Sequence, residues 1–180
     1  MALRVITARL NGSPSDGAVL NGALSLSTAF GGHIDALFSR PDPRLTVAAI
    51  DEGVYPGFYD EMVTVMEKQW TEVANKALKN FEKWRTANNV NLQAEPQKPH
   101  GPTAEWRDAV GTETEMIGRK GRVSDIIVSA LPSRRLEANY DLGFEAALLE
   151  TGRPVLLIPS NGHIDPMSGS VVIVFTAVTK

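Results

Sequence analysis

The chain has 180 residues, of which 43% are hydrophobic and 22% charged. That is enough apolar material for one α/β domain with a real core, and too much for a disordered segment. A net charge of -3 removes any global attraction to nucleic acid or an anionic membrane. The absence of cysteine excludes a disulfide framework, a thiolate zinc site and a cysteine nucleophile.

The first residues, Met1 to Ile6, form an apolar run too short for a signal sequence. The default location is therefore the cytoplasm. Leu3 to Leu10 reads as a strand, stopped by Asn11-Gly12-Ser13-Pro14-Ser15. The tripeptide Asn11-Gly12-Ser13 has the form of a glycosylation acceptor but reads as a turn. Val19, Ala23, Leu26 and Phe30 then keep helical spacing. Ser13 or Ser15 is the expected N-terminal cap of that helix, and Gly31-Gly32 its end. His33 to Phe38 reads as a second strand, completing a right-handed β-α-β unit.

A Pro- and Gly-punctuated connection runs from Ser39 to Gly57. Phe58, Met62, Met66, Trp70, Val73, Ala77, Phe81 and Trp84 then lie on one face of a long helix, which reads as core. Val90 to Ala94 reads as a short strand and Glu95 to Pro102 as a loop. Trp106 and Val110 fit one helical turn. Thr112 and Glu115 form a capping box for a helix to about Arg119. Val123 to Val128 is a strand fit for burial on both faces. A polar loop from Leu131 to Asn139 leads to a helix over Asp141 to Thr151, stopped by Gly152. Pro154 to Pro159 is a fifth strand.

The order βαβαβαβαβ predicts a doubly wound, mainly parallel five-stranded sheet with helices on both faces. This is a Rossmann-like arrangement of the adenine-nucleotide alpha hydrolase kind. Residues 1–159 make up the domain. Residues 160–180 read as a linker and an extra C-terminal strand, Ser170 to Ala177.

Three stretches resemble the universal stress protein family. They are the strand-turn-helix opening from Val5 to Ser13, the segment Arg119 to Val128 (Arg-Lys-Gly-Arg-Val-Ser-Asp-Ile-Ile-Val), and Phe144 to Pro159 (Phe-Glu-Ala-Ala-Leu-Leu-Glu-Thr-Gly-Arg-Pro-Val-Leu-Leu-Ile-Pro). The third is similar to the last helix and strand of members built from two such domains in tandem, and the extra strand resembles the start of a second repeat. Such a strand must pair with something. The expectation is that it joins its own sheet or crosses to a second subunit, giving a homodimer.

The resemblance implies a stress-response binding or regulatory protein rather than a catalyst, with an adenine-nucleotide-like ligand as the candidate occupant of the carboxyl edge of the sheet. The expected site is Asn11, Gly12, Ser13, Phe38, Ser129, Ser133, Arg134 and Arg135. Nucleotide-binding members carry an acidic residue in the first turn and a Gly-x-x-Gly-x9-Gly-(Ser/Thr) loop whose amides hold phosphates. Here Asn11 replaces the acidic residue, Ser129 and Pro132 stand where the first two glycines belong, and Asp141-Leu142 replaces Gly-Ser. The motif for ATP or ADP is absent, though Ser129, Ser133, Arg134 and Arg135 could hold a phosphate through side chains.

The rival is a nucleotide hydrolase or phosphotransferase on the same fold. It would need an acidic metal-holding cluster, and only Asp42 and Asp141 are expected near that edge. His33, His100 and His163 share no metal-ligand spacing. The acidic pairs Asp51-Glu52 and Asp60-Glu61 read as structural, because adjacent helical residues point apart and the second pair suits a helix N-terminus.

Overall fold

The computed structural model describes residues 3–48, 56–93, 101–131 and 141–159. Eleven elements follow in order among them: β1 (Val5–Leu10), α1 (Asp16–Phe30), β2 (His33–Arg40), α2 (Pro43–Ala48), α3 (Pro56–Ala87), β3 (Asn91–Leu92), β4 (Thr103–Val110), α4 (Glu113–Gly121), β5 (Ile126–Ala130), α5 (Leu142–Leu149) and β6 (Val155–Ile158). The strands form one sheet of order β3-β4-β2-β1-β5-β6, with every pair parallel. The doubly wound prediction holds, with six strands in place of five. The expected strand over 170–177 and its linker lie outside the described residues.

The added strand is β4, where the sequence had suggested a helical turn at Trp106. Its true period is two. Ala104 and Trp106 face one side, while Thr103, Glu105 and Arg107 face the other, in register with His33, Asp35 and Leu37 of β2. Because Glu105 and Arg107 are polar, no apolar alternation shows in the sequence, and the cross-strand partners are more than 60 residues away.

Alternation along β1 and β2 splits the core in two. Ile6, Ala8, Leu10, Ile34, Ala36 and Phe38 pack beneath α1 and α3. Leu37 and Ile127 pack beneath Ile117 of α4 and Ala146 and Ala147 of α5. Thr7, Arg9, His33 and Asp35 share that second face and are also buried. Gly31 ends α1 in the left-handed conformation, φ 78°, donating its N–H to the Ser27 carbonyl at 2.7 Å. Thr112 caps α4 by accepting from the Glu115 amide at 3.2 Å, as the capping box requires. β5 begins three residues later than expected. Val123 is 71% exposed, and Asp125 precedes the strand to accept the amides of Arg4 and Val5 at 2.6 and 3.0 Å.

The stripe on α3 is only half core. Ala74, Ala77 and Phe81 are buried, with Val73 and Trp84 packed against them. Phe58, at the helix start, is 56% exposed. The helix outruns the sheet it covers.

His33 donates to or accepts from Thr103 Oγ1 through Nδ1 at 2.9 Å. Burial, and the charge of Arg107, hold its imidazole below the ordinary 6.5. The unfolded chain therefore takes a proton before the folded one does, and stability falls as pH drops below about 6.5. Urea midpoints compared at pH 7.5 and 5.5 should show this loss in the wild type and a smaller loss in His33→Gln. Equal losses in the two proteins would remove His33 as the source. Asp35 acts in the opposite sense. Its carboxyl is raised by burial, against the pull of Arg107 and Lys120, so its protonation at lower pH favours the fold. Arg107 lies 2.9 Å from Asp35 and also contacts Glu105, ion pairs of proximity rather than aligned hydrogen bonds.

Candidate functional site

The strand order places the topological switch between β1 and β5, because the chain leaves β1 toward β2 on one side and returns from β4 to β5 on the other. Ligands of open α/β sheets bind outside the carboxyl ends of the strands at that point. Here the ends of β1 and β5 present Arg9 and Ser129, and the start of α5 presents Asp141.

Arg9 dominates the place. It sits on an interior strand and is 6% exposed, so its charge must be met by partners. Its guanidinium donates from Nε and Nη2 to Glu113 Oε1 at 2.9 and 2.6 Å. It also donates from Nη1 and Nη2 to the two oxygens of Asp141, at 3.0 and 2.5 Å. Nη1 reaches Ser129 Oγ at 3.1 Å as well. Burial works against the guanidinium charge, but Glu113 and Asp141 outweigh it and hold its pKa above the ordinary value. One cation thus ties β1 to α4, β5 and α5.

Gly143 lets the parts close. A Cβ there would lie 2.4 Å from Glu113 Oε1 and 2.6 Å from Arg9 Nε, so the first turn of α5 approaches the ion pair only because that residue has no side chain.

Two carboxylates accept the backbone amides of the first turn and of the α5 N-terminus. Asp141 caps α5, accepting the Phe144 amide at 2.9 Å, where the helix dipole favours an anion. Asp16 accepts the amides of Asn11 and Gly12 at 3.1 and 2.9 Å. Burial pushes the Asp16 carboxyl up, against the pull of those amides and of Arg9. The Ser13 amide donates to Asn11 Oδ1 at 3.0 Å. The expected serine caps of α1 do not form. Ser15 makes no side-chain cap, and the Ser13 and Ser15 hydroxyls bond each other at 2.6 Å. Asp16, the first residue of α1, instead turns its carboxylate back to the amides of the preceding turn.

Of the expected site residues, Asn11, Gly12 and Ser13 form the first turn and Ser129 joins the Arg9 cluster. Gly12 has φ 80°, and a Cβ on it would stand 2.7 Å from Val73 Cγ1, so it also serves the packing of the turn on α3. Phe38 departs from the expectation. It has 0% exposure and stacks on Trp106 with centroids 5.6 Å apart, so its ring offers no surface to a ligand. Ser133, Arg134 and Arg135 lie outside the described residues, as do Asp51-Glu52, His100 and His163. Arg9, Glu113 and Asp16 were missed. The available signal was a charged residue inside an otherwise apolar central strand.

A shallow cleft of about 380 Å³ lies one strand further along, at the carboxyl ends of β2 and β4. Arg40, Asp42, Arg44, Glu67 and Thr71 line it, and Arg40 is paired with Asp108 at 2.9 Å. It carries both signs of charge and does not single out an anion. Among the described residues no group of three His, Asp or Glu side chains is placed to hold a metal ion. No helix among them is long and apolar enough to cross a membrane.

No family model and no curated protein matches the sequence. Solved structures do match. The universal stress protein UspA from Lactobacillus plantarum aligns over 88% of this chain and 99% of its own, with a TM-score of 0.58 at 10% identity. The chain has the universal stress protein fold. Hypothetical protein MJ0577 aligns over 88% of this chain and 97% of its own, with a TM-score of 0.57 at 13% identity. On this universal stress protein fold, the switch point of the present chain is closed by Arg9 and its carboxylates.

Proposed function

We propose that this protein is a stress-response regulatory module of the universal stress protein type, acting through protein contacts in the cytoplasm and not through phosphate chemistry at its switch point. One observation carries the reading. The amides of the first turn and of the α5 N-terminus already hold Asp16 and Asp141, and Arg9 locks Asp141 to Glu113. A triphosphate entering there would meet two carboxylates bound to one guanidinium. It would have to displace an anion already satisfied by hydrogen bonds and lose the cation that anion neutralises.

Calorimetric titration of the whole chain with ATP, ADP, AMP and cyclic AMP tests the reading. No heat of binding is expected for any of them. Micromolar binding that disappears in the double variant Arg134→Ala, Arg135→Ala would overturn it and establish a side-chain phosphate site instead.

A further inference from the structure

The cleft at the carboxyl ends of β2 and β4 is framed by backbone bonds that fix where its charges stand. The Arg40 carbonyl accepts the Gly111 amide at 3.0 Å, which ties the two strand ends together. Asp42, just before α2, accepts the Arg44 amide through Oδ1 at 2.9 Å. The Tyr59 hydroxyl donates to the Arg44 carbonyl at 3.2 Å, linking α2 to α3. One turn apart on α3, the Thr71 hydroxyl donates to the Glu67 carbonyl at 2.7 Å.

Arg40 and Arg44 give the cleft two cations, and Asp42 and Glu67 give it two carboxylates. Arg40 is partly satisfied, since its Nε donates to Asp108 at 2.9 Å. Arg44 and Glu67 are exposed, and the side chain of neither makes an ion pair among the described residues. They line the same space with opposite charges and do not meet, which leaves room for a ligand between them. Pro43, which is buried, and Val110, which is 49% exposed, add apolar surface to the lining. A volume of about 380 Å³ is at the small end for ligand sites, which suits a compact metabolite.

We propose that this cleft binds a free α-amino acid with an aliphatic side chain. The charge pattern excludes simpler classes of ligand. An anion between the arginines would also meet Asp42 and Glu67, and a cation would meet Arg40 and Arg44. A small zwitterion satisfies both sets at once. Its carboxylate takes the planar guanidinium of Arg44, which offers paired N–H donors, and its ammonium takes the Glu67 carboxylate. Asp42 spends Oδ1 on the Arg44 amide, so its Oδ2 is a second acceptor for the ammonium. The aliphatic side chain then covers Pro43 and Val110 and removes their apolar surface from water. Exposed ion pairs are weak one at a time, so recognition needs both ends of the zwitterion. The inference is independent of what the switch point binds.

Titration of leucine into the isotope-labelled full-length chain, followed through amide shifts by NMR, provides the test. The shifts should saturate and should centre on Arg44, Thr71 and Val110. N-acetylleucine lacks the ammonium and leucinamide lacks the carboxylate, and each should bind about tenfold more weakly than leucine. Arg44→Gln and Glu67→Gln should each cause a similar loss. Both side chains are exposed, so the spectra of the variants should otherwise match the wild type. Saturable shifts at Asn11 and Ser129 instead would place the ligand at the switch point and overturn the proposal. So would the absence of saturable shifts in the millimolar range, undiminished binding of either capped derivative, or unchanged binding in both variants.

Discussion

Replacing Arg9 with methionine should lower the unfolding free energy by about 3 kcal/mol, the range for removing one member of a buried ion pair. The loss comes from the groups left behind. Glu113 and Asp141 would keep their positions at the ends of β1 and β5 but lose the donor that neutralises them both. Their own side chains retain 30% and 22% exposure, so water can reach them, which keeps the cost at the low end. Arg9→Lys should recover part of the loss. A lysine restores the charge, but its single ammonium cannot bridge Glu113, Ser129 and Asp141 as the planar fork does. Urea unfolding measures both variants. Equal stabilities of wild type and Arg9→Met would show the cluster to be a surface contact in effect, and would reopen the switch point as a place for an anion.

Truncating Phe38 to alanine should cost about 4 kcal/mol, within the range for a fully buried aromatic side chain. The ring stacks on Trp106 at an interplanar angle of 19°, and Trp106 in turn meets Phe81 with centroids 5.6 Å apart. The deletion would therefore leave a hole between β2, β4 and α3 that rigid strands cannot close. Unfolding of the variant should move to lower urea with little change in slope. A small loss, under about 1 kcal/mol, would mean that the layer between sheet and α3 repacks freely. With its ring fully buried, Phe38 sits in the core layer beneath α3, in contrast to its expected place at the carboxyl edge.

The two substitutions separate what the fold needs from what the family resemblance suggested. Phe38 was picked out because the last residues of a second strand commonly reach the ligand edge. Pairing shows instead that its alternation with Leu37 turns it toward α3, while Leu37 faces α4. A one-residue difference in position decides which of the two core layers a side chain joins, because successive side chains in a strand point to opposite faces. Asp141 stands where the family has Gly-Ser, and it caps α5. Its bond to Arg9 could not be anticipated, since the two residues are 132 positions apart.

Local order settled much of this protein before any contact was known. The turn at Asn11-Gly12, the glycine stop of α1 and the capping box at Thr112 all follow from neighbours within a few residues, where propensity and periodicity act directly. Tertiary structure alone decided the rest. β4 became a strand because β2 offered it eight partners in register, not because its own residues alternate visibly. The first half of α3 lost its place in the core because the sheet ends before the helix does. The candidate site likewise belongs to Arg9, whose meaning depends on Glu113, Ser129 and Asp141, three residues brought to it from more than 100 positions away. A buried charge is defined by what surrounds it, and those surroundings exist only after the chain has folded.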